Sequence, residues 1–485
     1  VSRMLNRGGQ VPSVPLLSLG CDLRRALMLG VMIAAVMQIF APSHLVIGLG
    51  TGLLVGFLAL SCKMFGIGTW VPVLLSLGAA ALAMVQHVPA DVIWRGLDRM
   101  LFLAALIAML ATLRSAAALA PEVRLAGALV TNQPASRRYL SMTFGGHLFG
   151  VLVNFGGLAL LLDIAKQSMD REGTAQLPPE VQEARLRRMT LAVIRGFSMI
   201  ALWSPFGFAT NATLLTLPGI SYVQFGPIGF AMSFVLTAIG WAWDTYEGRR
   251  FRGRGLPTTT PPPKSGLAVA LLLGHVLALG AGVFVLHGMT SLSFQQGLIV
   301  IVPCYAVLWA GAAMRHESRG ILGGIGKVAQ TSWLRLANMG PEVGVFASAG
   351  FLAVVLLALI PMDALREVIA HWGLSAFSYA FGLTFSIFIL ALVGVNPIIT
   401  ASVLGAIAAQ LAVPGLSNVA IALSIIGGWT AVMGLSPFIT TLAISAAIID
   451  RRAEVIGPVW NGPYSILILM IWSAFLWALI HFGWV

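Results

Sequence analysis

Charge is what this chain has least of. Asp, Glu, Lys and Arg together make up 9% of its 485 residues, against 58% hydrophobic residues and a mean hydropathy of +0.92. A soluble domain cannot hide that much apolar surface, so a polytopic α-helical membrane protein is expected. Acid is scarcer than base, with 17 Asp and Glu against 29 Lys and Arg. The net charge of +12 does not call for a nucleic-acid partner, because the basic residues sit in short loops between apolar runs. No acid falls in the middle of an apolar run; Asp163, Asp244, Glu342 and Asp450 all lie near the ends of such runs. A carboxylate proton relay needs an intramembrane acid. Its absence disfavours a proton antiporter of that kind and is compatible with sodium held by neutral oxygens.

Cysteine is nearly missing as well. Cys21, Cys62 and Cys304 are odd in number and far apart, with neither disulfide nor metal spacing, and read as inert thiols. There is no phosphate-binding glycine loop with a lysine, no HExxH and no cluster of His and carboxylates, so neither an enzyme nor a bound cofactor is expected. The first residues show no short apolar stretch with a cleavage site, and no removed signal peptide is expected.

Long apolar runs are abundant. After a basic stretch with Arg3, Arg7, Arg24 and Arg25, spans fall near 25–41, 43–62, 68–87 and 99–118. The block 139–165 is interrupted by Gly145-Gly146 and by Asn154 ahead of Gly156-Gly157, which predicts two half-length helices forming a re-entrant hairpin. A charged loop at 166–189 precedes an apolar helix at 190–217 and a span at 225–243. The segment 244–265 is a linker, with Arg249, Arg250, Arg252 and Arg254 followed by Thr258 to Pro263. Beyond it come spans near 266–287, 295–313 and 342–361, a basic amphipathic stretch at 315–340 and a polar connection at 363–373. The block 375–412 is too long for one span and carries Gly394-Val395-Asn396-Pro397 near its middle. A helix at 418–449 and a last span at 464–482 complete the chain.

The helices at 190–217 and 418–449 each carry the tripeptide Ser-Pro-Phe, as Ser204-Pro205-Phe206 and Ser436-Pro437-Phe438. Proline removes a backbone donor and clashes with the preceding turn, so both helices should be broken at mid-membrane. Hairpin, broken helix and closing span therefore recur in the same order in two halves, 43–243 and 266–485, with residues 1–42 outside the symmetry. With the N-terminus in the cytoplasm, all Lys and Arg except Arg95, Arg99 and Arg366 fall in or beside cytoplasmic segments, provided the two hairpins enter from opposite sides. The expected fold class is an all-α polytopic membrane protein: about 11 transmembrane helices plus two re-entrant hairpins in two inverted-topology repeats.

Tips and breaks from both halves would meet near the midplane, where unwound backbone and side-chain oxygens receive ions or anions. The candidate substrate- and ion-binding residues are Asn154, Gly156 and Gly157 at the first tip, and Asn396, Pro397 and Thr400 at the second. At the breaks they are Ser204, Pro205, Thr210 and Asn211, and Ser436, Pro437, Thr440 and Thr441. Thr210, Asn211 and Thr213 also have the option of bonding back to their own helix. His147 and Arg195 are the candidates for a proton or anion role. The competing expectations are a histidine bonded inside the hairpin and an arginine that snorkels to the cytoplasm.

Eleven spans, two oppositely inserted hairpins and a broken helix after each resemble the ion transporter superfamily, in particular its divalent-anion/sodium symporter branch, over about residues 43–482. That branch carries Ser-Asn-Thr at its tips; this chain has Val153-Asn154-Phe155 and Val395-Asn396-Pro397, so only the two asparagines carry over. The resemblance implies a homodimer with a fixed scaffold and a mobile transport domain working as an elevator, with Na⁺ held at the tips. The expected function is secondary transport of a small organic anion, of carboxylate type, coupled to Na⁺ or H⁺, in the inner membrane of a bacterium with the C-terminus periplasmic. The alternatives are an exporter or cation/proton antiporter on the same scaffold, a permease subunit that needs a periplasmic partner, and an integral-membrane protein that handles lipid or polymer.

Overall fold

The computed structural model describes residues 15–169, 176–251 and 263–485. Arg3 and Arg7 of the basic stretch, part of the charged loop, and Arg252, Arg254 and Thr258 to Pro262 of the linker lie outside the described residues.

Backbone inside a bilayer has no water to bond, so a chain this apolar satisfies its amides helix by helix. The described residues form helices joined by short turns. In the first half these are α1 (Pro15–Phe40), α2 (His44–Ser61), α3 (Ile67–Val85), α4 (Ala90–Leu119), α5 (Pro121–Thr131), α6 (Ala135–Val153), α7 (Phe155–Gln167), α8 (Pro179–Ser198), α9 (Ile200–Trp203), α10 (Phe208–Thr216) and α11 (Tyr222–Gly248). The second half holds α12 (Ser265–Met289), α13 (Phe294–Ala313), α14 (Gly320–Leu336), α15 (Gly340–Leu359), α16 (Met362–Trp372), α17 (Ala376–Leu392), α18 (Pro397–Leu411), α19 (Asn418–Met433), α20 (Thr440–Ile449) and α21 (Gly462–His481). A π-helical turn, Val455–Asn461, leads into α21.

Helix starts are marked by polar caps where the chain re-enters apolar surroundings. The hydroxyls of Ser43, Ser293, Ser375 and Ser417 each accept an amide from the first turn that follows. Ten helical segments among the described residues are long and apolar enough to cross a membrane. The remaining one of the sequence's eleven spans, 418–449, is present as two shorter apolar helices, α19 and α20, on either side of the second Ser-Pro-Phe.

Both apolar blocks read as hairpins fold as helix–turn–helix, α6–α7 around Asn154 and α17–α18 around residues 393–396. The polar connection at 363–373 is more than a connection. It forms α16, which has no buried residue and meets α17 at 116°. Arg366 ties it down, reaching Asp363 at 2.8 Å and the Gln410 carbonyl at 2.8 Å.

The two halves pack reciprocally. In each, the first hairpin arm lies along the broken helix, α6 on α8 and α17 on α19. The second arm packs on the far part of the other half's broken helix, α7 on α20 and α18 on α10. A long central pair, α4 with α15, carries the rest: α3 packs on α15 and α13 on α4. Each half thus contributes a hairpin arm to the other half's broken helix.

Close approach in the hairpin layers depends on glycine. A Cβ on Gly196 would lie 1.9 Å from the Thr143 carbonyl oxygen, and one on Gly428 would lie 2.6 Å from that of Thr384. Gly196 stands eight residues before Ser204 and Gly428 eight residues before Ser436, so the same contact is built twice.

Candidate functional site

At the first tip, Asn154 ends α6 and starts α7 within a single residue. Its backbone stands at φ 53°, ψ −133°, a conformation that glycine adopts readily and asparagine does not. Its carbonyl accepts from Gly157 N at 2.9 Å and Leu158 N at 3.2 Å. Its side chain is half-buried with no hydrogen bond among the described residues. Gly157 belongs to the packing of the hairpin, since a Cβ there would fall 2.5 Å from the Phe149 carbonyl oxygen; Gly156 is exposed.

The second tip holds its asparagine differently. Asn396 is extended, at φ −64°, ψ 130°, and its Oδ1 accepts the Ile398 amide at 3.1 Å as the cap of α18. Pro397 is then the first helical residue, where a missing N–H costs nothing. The positive φ of this tip, +97°, falls on Gly394, which faces the Phe438 ring of the second break. The tips thus correspond in position, while each distributes backbone strain and side-chain bonding in its own way.

Both Ser-Pro-Phe tripeptides break their helices. The first break spans residues 204–207, between α9 and α10. The Gly207 amide bonds the Ser204 carbonyl at 2.8 Å, closing a turn. Asn211 reaches back to this turn, its Nδ2 donating to the carbonyls of Pro205 at 3.0 Å and Gly207 at 2.9 Å. At the second break, residues 434–439, Ser436 Oγ donates to the Ala391 carbonyl of the adjoining hairpin arm at 2.6 Å and accepts the Phe438 amide at 3.2 Å. Phe206 is buried and Phe438 is 67% exposed, so only the second break opens outward at its phenylalanine.

Five of the predicted residues bury a side-chain oxygen that has no hydrogen-bond partner among the described residues: Ser204 Oγ, Thr210 Oγ1, Asn211 Oδ1, Thr400 Oγ1 and Thr441 Oγ1. Thr190, on α8, does the same. A buried polar atom without a partner costs about 1–3 kcal/mol, a cost that a bound ligand at the two helix breaks would offset. All five are neutral oxygens, the donor type that suits a hard cation. Packing of α18 on α10 sets the element carrying Thr400 against the one carrying Thr210 and Asn211, and packing of α20 on α7 sets Thr441's helix against the second arm of the first hairpin. Thr440 is exposed, and Thr213 bonds back to the Ala209 carbonyl at 2.8 Å.

Arg195 does not snorkel. It is 3% exposed, with Nε on Asn461 Oδ1 at 2.9 Å and its guanidinium 4.1 Å above the Tyr464 ring. Asn461 passes the contact on, donating from Nδ2 to the Gly434 carbonyl at 3.0 Å, where the second break begins. A first-half arginine therefore braces the second half's break. The long sequence separation hid this pairing, which comes from the π-helical turn. His147 is bonded within its own half, accepting the Trp203 indole N–H at 2.6 Å beside Ser204.

Sequence reasoning also missed Arg114 on α4. Its guanidinium lies 5.9 Å from the centroid of Phe155, the residue after the first tip, and 3.6 Å from Glu342 on α15. Phe346, one turn beyond Glu342, meets Phe208 of α10 at 4.8 Å between centroids. The α4–α15 pair therefore faces the first tip and first break directly. Nearer the start of α4, a cavity of about 710 Å³ opens between this pair and α10 and α18, lined by Arg95, Asp98, Arg99, Thr216 and Gln410 among apolar residues. Arg99 spans the gap and donates to the Leu215 carbonyl.

No protein family and no characterised protein matches this chain by sequence. In structure it is similar to the Alcanivorax borkumensis YdaH transporter, whose crystal structure is described as having an unusual topology. The TM-score is 0.56 at 17% identity, over 79% of this chain and 85% of that one. The chain is thus an integral membrane protein, all helical, with a fold also found in a membrane transporter.

Proposed function

We propose that the protein is a secondary transporter that carries a small organic anion across the membrane together with a cation held at the helix breaks. The observation that carries this reading is the set of buried, unpartnered oxygens of Ser204, Thr210, Asn211, Thr400 and Thr441 beside interrupted helices. Neutral oxygens of this kind bind Na⁺ without a proton relay. The Asn154 amide and the N-terminal turns of α7, α10 and α20 supply donors for an anionic substrate. The sharing of the fold with a transporter supports the same reading.

In this reading α4 and α15, with the helices packed on them, form the scaffold, and the hairpins with the broken helices form the moving part. Movement of the second part past the first, as an elevator within a homodimer, would carry the site from one face to the other. The test is uptake of a panel of small carboxylates into proteoliposomes under an imposed Na⁺ gradient, H⁺ gradient or neither. Accumulation driven by the Na⁺ gradient is expected. Absence of any carboxylate flux under all three conditions overturns the reading, and flux driven by H⁺ alone overturns the assignment of the oxygens to Na⁺.

A further inference from the structure

The basic end of α11 carries a feature that transport does not use. A cavity of about 510 Å³ lies between α8 and α11, lined by Ala184, Arg187, Arg188, Trp243, Tyr246, Glu247, Arg249 and Arg250. The acid that lines it, Glu247, and the buried Asp244 behind it are already engaged. Both Asp244 oxygens are taken by Arg188, at 2.8 and 2.6 Å, and Gly248 leaves room for that arginine against the helix. Glu247 Oε1 holds Arg187 at 3.0 Å and the Trp243 indole at 3.1 Å. Arg249 and Arg250 are exposed and have no carboxylate partner among the described residues. Arg138, at the base of the first hairpin, adds to the positive field and is itself repelled by Arg185 and Arg188. The pocket therefore keeps an excess of positive charge, with planar donors that match a phosphate.

The surroundings identify the source of that phosphate. Phe234, Val235, Trp241 and Tyr246 are all exposed on α11, between 42% and 70%. At helical spacing they share one side of α11, and that side leads to Arg249. An apolar stripe running down a membrane helix from a basic pocket offers acyl chains a path below a headgroup, and Trp and Tyr favour that depth. We propose that this pocket binds the phosphate headgroup of an anionic phospholipid, with its chains along the exposed face of α11.

The full-length protein, delipidated in detergent, would be titrated with phosphatidylglycerol, phosphatidylcholine or inorganic phosphate, reading lipid retention by native mass spectrometry and unfolding temperature. Phosphatidylglycerol should be retained and should raise the unfolding temperature, while phosphatidylcholine and inorganic phosphate do neither. Arg249→Ala with Arg250→Ala should weaken phosphatidylglycerol about 30-fold, the share two interfacial arginines supply. Equal retention of phosphatidylcholine by the wild type overturns the proposal without recourse to a variant. So does an unchanged phosphatidylglycerol affinity in a double variant whose lipid-free unfolding temperature is unchanged. If inorganic phosphate alone reproduces the stabilisation, the site is for a free anion and the lipid assignment falls.

Discussion

Asn154 shows how much one residue can decide. At φ 53°, ψ −133° it costs about 1–3 kcal/mol of backbone strain that glycine would not incur. Glycine itself loses only about 0.5–1 kcal/mol through its greater unfolded-state freedom. Asn154→Gly should therefore hold or raise the unfolding temperature. If the strain is retained for the amide side chain, the same variant should lose transport by at least about tenfold, which is about 1.4 kcal/mol. Uptake at the wild-type rate in a stable Asn154→Gly protein would remove the amide from the site. Asn396 is a weaker probe, since its Oδ1 caps α18 and Asn396→Ala costs about 1 kcal/mol of helix stability whatever its part in binding.

Among elements, the pairing of each hairpin with its broken helix depends on two glycines that no motif marks. Gly196 and Gly428 press against the Thr143 and Thr384 carbonyls, and any side chain there must separate the two helices. Gly196→Leu should destabilise by about 1–3 kcal/mol or more through overpacking, lowering the unfolding temperature in detergent. The equivalent Gly428→Leu should cost a comparable amount, because the layer is the same. Gly52, by contrast, has open space around its Cβ position, so Gly52→Leu should leave the unfolding temperature within a degree or two. A Gly196→Leu protein as stable as the wild type would show that the hairpin layer is loosely held.

For the whole molecule, the question is what moves past what. Arg99 on α4 donates to the Leu215 carbonyl near the end of α10, across the cavity that separates the central pair from the hairpin layer. If the layer carrying α10 moves relative to α4, this contact breaks and re-forms once per cycle. Arg99→Gln should then change kcat for uptake several-fold and leave KM within about twofold, since the residue lies away from the tips and breaks. A shift in KM with kcat unchanged would instead make Arg99 part of the binding site. The same contact is a charge-assisted bond at the cavity wall, so its loss should cost no more than about 1.5–3 kcal/mol of stability.

Apolar run length, turn residues and proline were legible in the sequence because they act locally. A bilayer forces a helix on every long apolar run, and Pro205 and Pro437 interrupt their helices through their own rings. Asn154 and Asn396 were found for the same reason: polar residues beside glycine or proline inside apolar blocks mark turns. Side-chain partnerships across hundreds of residues depend on how the halves pack, and no local pattern carries them. The sequence could therefore place Arg195 on a helix near a break but could not bring it against Asn461, nor Arg114 against Phe155. It could not tell the strained Asn154 from the capping Asn396, because the neighbouring Gly394 takes up the positive φ at the second tip alone. The chain by itself determined its membrane class, its hairpins and its broken helices, since each follows from short-range sterics and solvation. Tertiary packing alone decided which oxygens are left buried without partners, because that depends on what each side chain meets after the two halves close on one another.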